Sequence, residues 1–320
     1  MGSNNQAHGL VDGVLNITKP SGSTSMDVVR TIKRLTKQKR IGHGGTLDPL
    51  ATGVLPICIG KATRLMEYLV DSPKIYHTQL KLGVTTDTYD IDGAITDTRS
   101  FSSITQQMVE RTLGLFEGTS EQVPPMYSAL KHEGTRLYKL ARDGQEVDRP
   151  SRPVRIDSIR LTAWDPPFLE IQVQCGRGMY VRSLSHDIGE LLHCGATVIS
   201  LSRLQSGPFH IKDSTSLETM HEHIKSGGSW IDYIEPPDLL VQHLAYTTIS
   251  EGREALIRQG RLFSIEHEPV DIERPLRVYG TSGNFLALAR YDKSTRLWQP
   301  NKVLDLDSRV SGNPEQRVTP

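Results

Sequence analysis

The amino-acid sequence predicts an α+β protein that ends in a smaller, mostly β unit. Residues 75–83 and 169–175 alternate apolar and polar side chains, the period of a strand. Residues 25–37 and 181–191 space their apolar side chains as helices do. From about Leu244 the pattern changes to short β-like segments such as Phe285–Leu288, set among turns, with one helical stretch near Glu251–Gln259. A length of 320 residues suits about two domains, and 37% hydrophobic with 23% charged residues is enough to bury a real core.

Along the chain, Val14–Ile17 reads as a short strand and Lys19-Pro20-Ser21-Gly22 as a turn. Ser25 is placed to cap a helix with Val28, Val29, Ile32 and Leu35 on one face. Arg30, Lys33, Arg34 and Lys37 share the other face, as a solvated surface or as a stripe that meets RNA. Ile41–Pro56, IGHGGTLDPLATGVLP, holds too much Gly and Pro to be regular throughout, and such segments often carry function. In the next strand, Tyr76, Thr78, Leu80 and Leu82 share one side, with Ile75, His77, Gln79 and Lys81 on the other. Asp87–Gly93 is a polar turn, and Pro124–Arg152, rich in Lys, Arg, Tyr, Gly and Pro, a protruding loop and helix. Leu169, Ile171, Val173 and Cys175 alternate, Gly176-Arg177-Gly178 turns, and Val181, Leu184, Ile188 and Leu191 continue as a helix with Arg182 near its start. The tail from Asp305 is polar and expected to fray.

Several classes are disfavoured. No run of about 20 apolar residues could span a membrane. Met1–Asp12 is polar and lacks the apolar core of a secretion signal, and Gln6 stands where myristoylation wants Ser or Thr. Cys58, Cys175 and Cys194 are odd in number and form no CxxC pair, so neither a disulfide framework nor a zinc site is expected, and a reducing cytoplasm is the simplest compartment. No nicotinamide fingerprint, P-loop or metal cluster appears, so no cofactor and no metal are expected. Formal net charge is zero, yet residues 1–70 hold nine Lys or Arg against four Asp or Glu, so a basic face remains open.

Asp48 is the sharpest candidate. A carboxylate is ionised at neutral pH and can attack without an activating base. Unpaired in an apolar loop it would be costly, so either a cation stands near it or it hydrogen-bonds its own loop backbone. Arg182 opposes the dipole at its helix start, which hints at a compensating carboxylate, though a surface Arg would read the same. Tyr76 is either core or a flat platform for a base. His43, between two glycines, has no neighbour at metal-ligand spacing. The turn at Lys19 is structural or functional.

Six motifs carry a resemblance. Gly42–Pro56, GHGGTLDPLATGVLP, resembles the catalytic signature of the TruB family of tRNA pseudouridine synthases. Lys19-Pro20-x-Gly22 with Ser25, Lys74-x-Tyr76 leading to Leu82-Gly83, and Thr86-Asp87-Thr88 with Asp90 and Asp92-Gly93 resemble its further motifs. So do Met126–Lys131, at the start of its RNA-gripping insertion, and Gly178–Arg182, its arginine motif, with Met179 where the family more often has Thr. All six stand in the family's order and spacing over roughly residues 13–210.

The resemblance implies a pseudouridine synthase fold: a mixed, largely antiparallel sheet flanked by helices and loops. It implies a catalytic domain over 12–243 with the insertion at 124–152, a PUA-like RNA-binding domain over 244–308, and a disordered tail at 309–320. The implied activity is isomerisation of a flipped-out tRNA uridine, position 55 of the T-loop. Asp48 would be the nucleophile, Tyr76 the stacking partner and Arg182 the partner of Asp48. Tyr180 and Leu201 would line the pocket, His43 would fill the space the base leaves, and Lys19, Lys131 and Arg142 would contribute to RNA binding. The partner expected is tRNA, met by a monomer without guide RNA, protein partner or membrane. Two other readings stand beside it. One is a tRNA folding helper without essential catalysis; the other is the guide-RNA-dependent relative, against which the Met126–Lys131 motif argues.

Overall fold

The computed structural model describes residues 10–265 and 271–306. An eleven-stranded sheet forms the body and a four-stranded sheet the C-terminal unit. Seven strands carry the larger sheet: β1 (Gly13–Lys19), β2 (Thr52–Ile59), β3 (Lys74–Leu82), β4 (Gly118–Gln122), β5 (Arg152–Asp165), β6 (Phe168–Cys175) and β7 (Ala196–Ser206). Their order is β1-β2-β7-β3-β6-β5-β4, antiparallel throughout except between β2 and β7. This is the mixed, largely antiparallel sheet that the resemblance implied.

Side-chain alternation explains its burial. On β3, Thr78, Leu80 and Leu82 are fully buried while the intervening residues are half-buried. On β6, Leu169, Ile171, Val173 and Cys175 all face the core. Against this face pack α1 (Ser25–Thr36), α3 (Gln106–Gly114), α5 (Val181–Leu191) and α6 (Leu217–Lys225), through Val28, Ile32, Val109, Leu184, Ile188 and Met220. A short helix, α2 (Met66–Asp71), precedes β3, and α4 (Leu137–Arg142) lies in the insertion at 124–152, which is mostly exposed or half-buried.

Local expectations are corrected at three places. Thr24, not Ser25, caps α1: its side chain accepts from Asp27 N at 3.1 Å and the Asp27 carboxylate accepts from Thr24 N at 2.9 Å. Ser25, thereby the first helical residue, turns inward instead. As expected, the 41–56 segment is not regular throughout: its middle stretch is irregular, while Ile41–His43 pairs with β2, which begins at Thr52. Gly53 makes this possible: its φ is +99° and a Cβ there would lie 2.3 Å from Arg203 O, so only glycine lets β2 and β7 close up. On α5, Leu191 is exposed and Leu192 is buried in its place.

The third correction concerns the C-terminus. The four-stranded sheet runs β8 (Tyr246–Ile249), β9 (Leu276–Gly280), β10 (Phe285–Asp292) and β11 (Leu297–Val303), in that order, with α7 (Glu251–Arg258) beside it. Past β11 the chain does not fray at Asp305. Leu304 and Leu306 are buried, their amides donate to Leu286 O and Phe285 O, and Arg258 holds the Asp305 carboxylate at 2.9 Å. The tail expected at 309–320 lies outside the described residues.

The two sheets share a core. Val14, Val54, Cys58, Leu65 and Leu69 of the body form one cluster with Tyr279, Phe285, Leu288, Leu304 and Leu306 of the C-terminal unit. The Tyr279 hydroxyl donates across the junction to the Asp238 carboxylate at 2.8 Å. Phe285 is fully buried there. Phe285→Ala is expected to cost about 3–5 kcal/mol and to lower a single cooperative unfolding transition. Calorimetry checks this; a separate early transition of the C-terminal unit would contradict the shared core.

Candidate active site

Three segments remote in sequence converge around Arg182: the loop at 44–51, the turn at 87–93 and the start of α5. The loop is irregular, so its backbone groups need partners from elsewhere. Lys19 is fully buried, and its ammonium donates to Pro20 O at 2.9 Å, Ser23 O at 2.6 Å and Pro49 O at 3.2 Å. The Ser25 hydroxyl donates to Leu47 O at 3.1 Å and accepts from Leu47 N at 2.8 Å. Leu47 and Pro49 flank Asp48, so both its neighbours are pinned. Arg203, 1% exposed, reaches the same loop, donating to Gly45 O at 3.2 Å and to Val54 O at 2.7 Å.

Asp48 itself meets Arg182, whose Nε donates to Oδ2 at 2.8 Å. Of the two readings open for Asp48, the geometry fits the cation-paired one. Arg182 is 4% exposed and spends its other donors on Thr88 O at 3.2 Å and Tyr127 O at 2.8 Å. A second carboxylate, Asp90, stands 3.6 Å from the same Nε. Burial pushes the Asp90 carboxyl above its usual range, while hydrogen bonds from Thr88 and the Arg182 charge hold it back. The Asp48 side chain is 32% exposed, so one side of the pair stays open.

It opens onto a cleft of about 290 Å³ lined by Asp48, Lys74, Tyr76, Met179, Tyr180 and Leu201, among others. Tyr76 is half-buried on β3; burial pushes its phenol up, and the Arg203 guanidinium beside it works against that rise. Tyr180 precedes α5, its backbone held at both N and O by the Gln122 amide. Burial raises its phenol too. Lys74 is buried and caps the end of α2 through Leu69 O, Val70 O and Ser72 O. Burial lowers the Lys19 and Lys74 amines to about 8 each.

The structure thus brings Asp48, Tyr76, Arg182, Tyr180 and Leu201 together; Lys19, expected to contribute to RNA binding, is instead fully buried beneath the loop with its ammonium on three carbonyls. His43 is not among the cleft-lining residues; it sits on the edge strand opposite Ile57, next to Arg203, with its imidazole lowered by burial. Lys131 and Arg142 lie in the exposed insertion and do not line the cleft, and Arg142 packs its guanidinium 5.6 Å from the Tyr138 ring. The base of that insertion does reach the site, through Tyr127 O, Ser128 and Ala129. Arg203, Lys74 and Asp90 were not singled out as site residues by the sequence. Strand periodicity could have found two of them: Lys74 stands two residues from Tyr76, and Arg203 two from Leu201. Asp90 stood only in its polar turn and in the motif from Thr86 to Gly93, with no role attached. Among the described residues no group of three His, Cys, Asp or Glu could hold a metal ion.

Comparison with known proteins bears on this arrangement. Residues 33–181 match the TruB family pseudouridylate synthase (N terminal domain), and residues 182–241 match the tRNA pseudouridylate synthase B C-terminal domain. Both matches end before β8. The chain is 41% identical over 293 residues to tRNA pseudouridine synthase B of Dehalococcoides mccartyi (strain ATCC BAA-2100), covering 92% of this chain and 96% of the relative. It is 42% identical over 280 residues to the protein of the same name from Clostridium acetobutylicum, covering 87% and 95%. Among solved structures, an H/ACA RNP bound to a substrate RNA containing 2′-deoxyuridine superimposes with a TM-score of 0.70 at 22% identity, over 94% of this chain and 87% of that one. A Cbf5-Nop10-Gar1 complex gives 0.68 at 24%, over 92% and 84%. At such identities the structural likeness shows the fold alone, which agrees with the sheet described above. Two family matches placed end to end, and relatives about 40% identical along nearly their whole length, establish that this chain belongs to the TruB family of pseudouridylate synthases.

Proposed function

We propose that this protein isomerises a uridine of tRNA, position 55 in the T-loop, to pseudouridine, with Asp48 as the nucleophile. The observation that carries the reading is the Asp48 carboxylate, held at 2.8 Å by a buried Arg182 and open on its other side to a cleft shared with Tyr76. Such a carboxylate attacks without a general base. The target nucleotide must leave its stack to reach it, at a cost of a few kcal/mol, which an exposed loop reduces. Asp48 then attacks C6 of the base or C1′ of the sugar. The C1′–N1 bond breaks, the ring turns, C5 bonds to C1′, and the C5 proton leaves as N1 gains one. Atoms and electrons balance within the nucleotide.

The other roles follow from place. Tyr76 stacks on the extruded base and Arg182 orients Asp48. Tyr180 and Leu201 form the pocket walls, and Lys19 holds the loop. His43, beside the cleft, takes the gap the base leaves. The insertion at 124–152 with Lys131 and Arg142, and the exposed cations of α1, grip the RNA backbone. Residues 12–243 act as the catalytic domain and 244–308 as a PUA-like RNA-binding domain. The protein works as a cytoplasmic monomer without guide RNA; no helix among the described residues is long and apolar enough to cross a membrane. Turnover of bare tRNA transcript by purified protein tests this. A requirement for guide RNA or a second protein would assign the chain to the guide-dependent mode.

Asp48→Asn is expected to bind tRNA as the wild type does and to lose turnover by at least ~10⁴-fold. Single-turnover assays check it, and a tenth of the wild-type rate would remove Asp48 from the nucleophile's role.

Binding should fall linearly in a log–log salt plot. Replacing Arg30 or Lys33, both exposed on α1, should reduce that slope by about one counterion each without slowing the chemical step. An unchanged slope would place the RNA on another face.

The buried lysines set an alkaline limit. Lys19 and Lys74 give up their protons near pH 8 in the folded protein, while the unfolded chain keeps them to 10.5. Between those values the unfolded state binds more protons, so the two groups raise stability as pH rises. A neutral Lys19 nonetheless has two N–H donors for three carbonyls. The expected outcome is a single-turnover rate that declines above about pH 8 with no loss of melting temperature from these groups. A rate flat to pH 9.5 would show that the loop does not need the charge.

A further inference from the structure

Besides Val54 and Cys58 of β2, one short segment, residues 60–71, links the C-terminal unit to the catalytic loop. On one side this segment is held by β11 and the residues just after it. The Arg64 guanidinium donates to Val303 O, Lys302 Nζ donates to Arg64 O at 2.8 Å and pairs with Glu67 at 3.1 Å, and Lys61 Nζ donates to Asp305 O at 3.1 Å. Leu65 and Leu69 complete the core shared with Phe285 and Leu304. On the other side it presses on the base of the Asp48 loop. A Cβ on Gly44 would lie 1.9 Å from Leu69 Cδ2, and one on Gly42 would lie 2.6 Å from Met66 Sδ. Leu69 is 1% exposed, and Val70 and Lys74, shortly after it in the chain, line the cleft.

We propose that Leu69 is a positioning residue for the reaction, bracing the Asp48 loop against the C-terminal unit, so that this unit governs the chemical step as well as any RNA contact it makes. The proposal rests on the activity assigned above. The physical reason is close packing: the strand edge at Gly42–Gly44 has glycine at both its ends, and α2 supplies the wall that sets where the loop begins. Packed interiors transmit displacements instead of absorbing them. A reacting carboxylate misplaced by about 1 Å can lose about 100-fold in rate.

The test uses the full chain, unmodified tRNA transcript, single-turnover rates at saturating enzyme, and transcript affinity measured separately. The wild type must turn over in the same assay; if it does not, the assigned activity fails and not this coupling. Gly44→Ala puts a methyl group where Leu69 Cδ2 and Cγ now lie. Its backbone φ is not in the left-handed region, so the strain is purely that contact. Gly44→Ala is expected to slow the chemical step about 100-fold with affinity within about 3-fold. Leu69→Ala removes the obstructing atoms, so the double variant Gly44→Ala/Leu69→Ala should run at least about 10-fold faster than Gly44→Ala alone. A double variant no faster than Gly44→Ala would overturn the proposal. Lys302→Met guards against a folding failure, since that side chain is partly exposed on the far side of α2. Its rate at saturating enzyme should fall about 3- to 10-fold, with melting temperature nearly unchanged. A Lys302→Met loss confined to transcript affinity, or no loss at all, would also overturn it.

Discussion

The site depends on a buried guanidinium. Arg182 sits at the start of a helix, where the dipole disfavours a cation, and is nearly excluded from water. Such a charge is tolerated only if its donors are spent and its charge balanced. Asp48 and Asp90 balance it, and the carbonyls of Thr88 and Tyr127 take the remaining donors. The hydrogen-bonded partners Asp48, Thr88 and Tyr127 lie 134, 94 and 55 residues away in sequence, so satisfying one side chain fixes the geometry of three separate loops. A lysine could not replace it, because a point charge on a flexible stem lacks the planar fork that addresses three directions at once.

The same logic repeats around the cleft. An irregular loop brings carbonyls into the interior without a ladder to receive them. Here cations answer them: Lys19 for Pro20, Ser23 and Pro49, Lys74 for the end of α2, and Arg203 for Gly45 and Val54. Burying these groups has a cost, visible in the lysine amines falling to about 8. What the fold gains is a loop in which both neighbours of Asp48 are tied, so the carboxylate is presented without conformational search.

How much of this the sequence disclosed depends on the range of each signal. Strand alternation over 75–83 and 169–175 is local, and both strands appeared with the predicted faces inward. The Asp48 and Arg182 motifs were legible through the family resemblance, while residue type alone left both side chains open. What stayed hidden was relational. Ser25 looked like a cap because a Ser before a helix usually is one, but Thr24 had Asp27 at the right spacing and Ser25 had Leu47 across the fold. Asp90 was legible as a motif position but not as a partner; it matters because it shares Arg182 with Asp48. Leu304 and Leu306 stand around the start of what read as a polar tail, and nothing local marks them for the shared core.

Net charge was uninformative for a related reason. A formal charge of zero says little about a protein whose cations and anions occupy different places. Around the cleft, Lys19, Lys74, Arg182 and Arg203 are all buried, against the carboxylates of Asp48 and Asp90. On α1, Arg30, Lys33, Arg34 and Lys37 are exposed on one side while Val28, Val29 and Ile32 face the core. Both arrangements concentrate cations locally in a chain whose net charge is zero. Inside the cleft, where water is partly excluded, each charge acts with a lower effective dielectric than on the surface. A pyrimidine that takes on negative charge as its bond to the sugar breaks would therefore meet a field already set in place, with no reorganisation left to make.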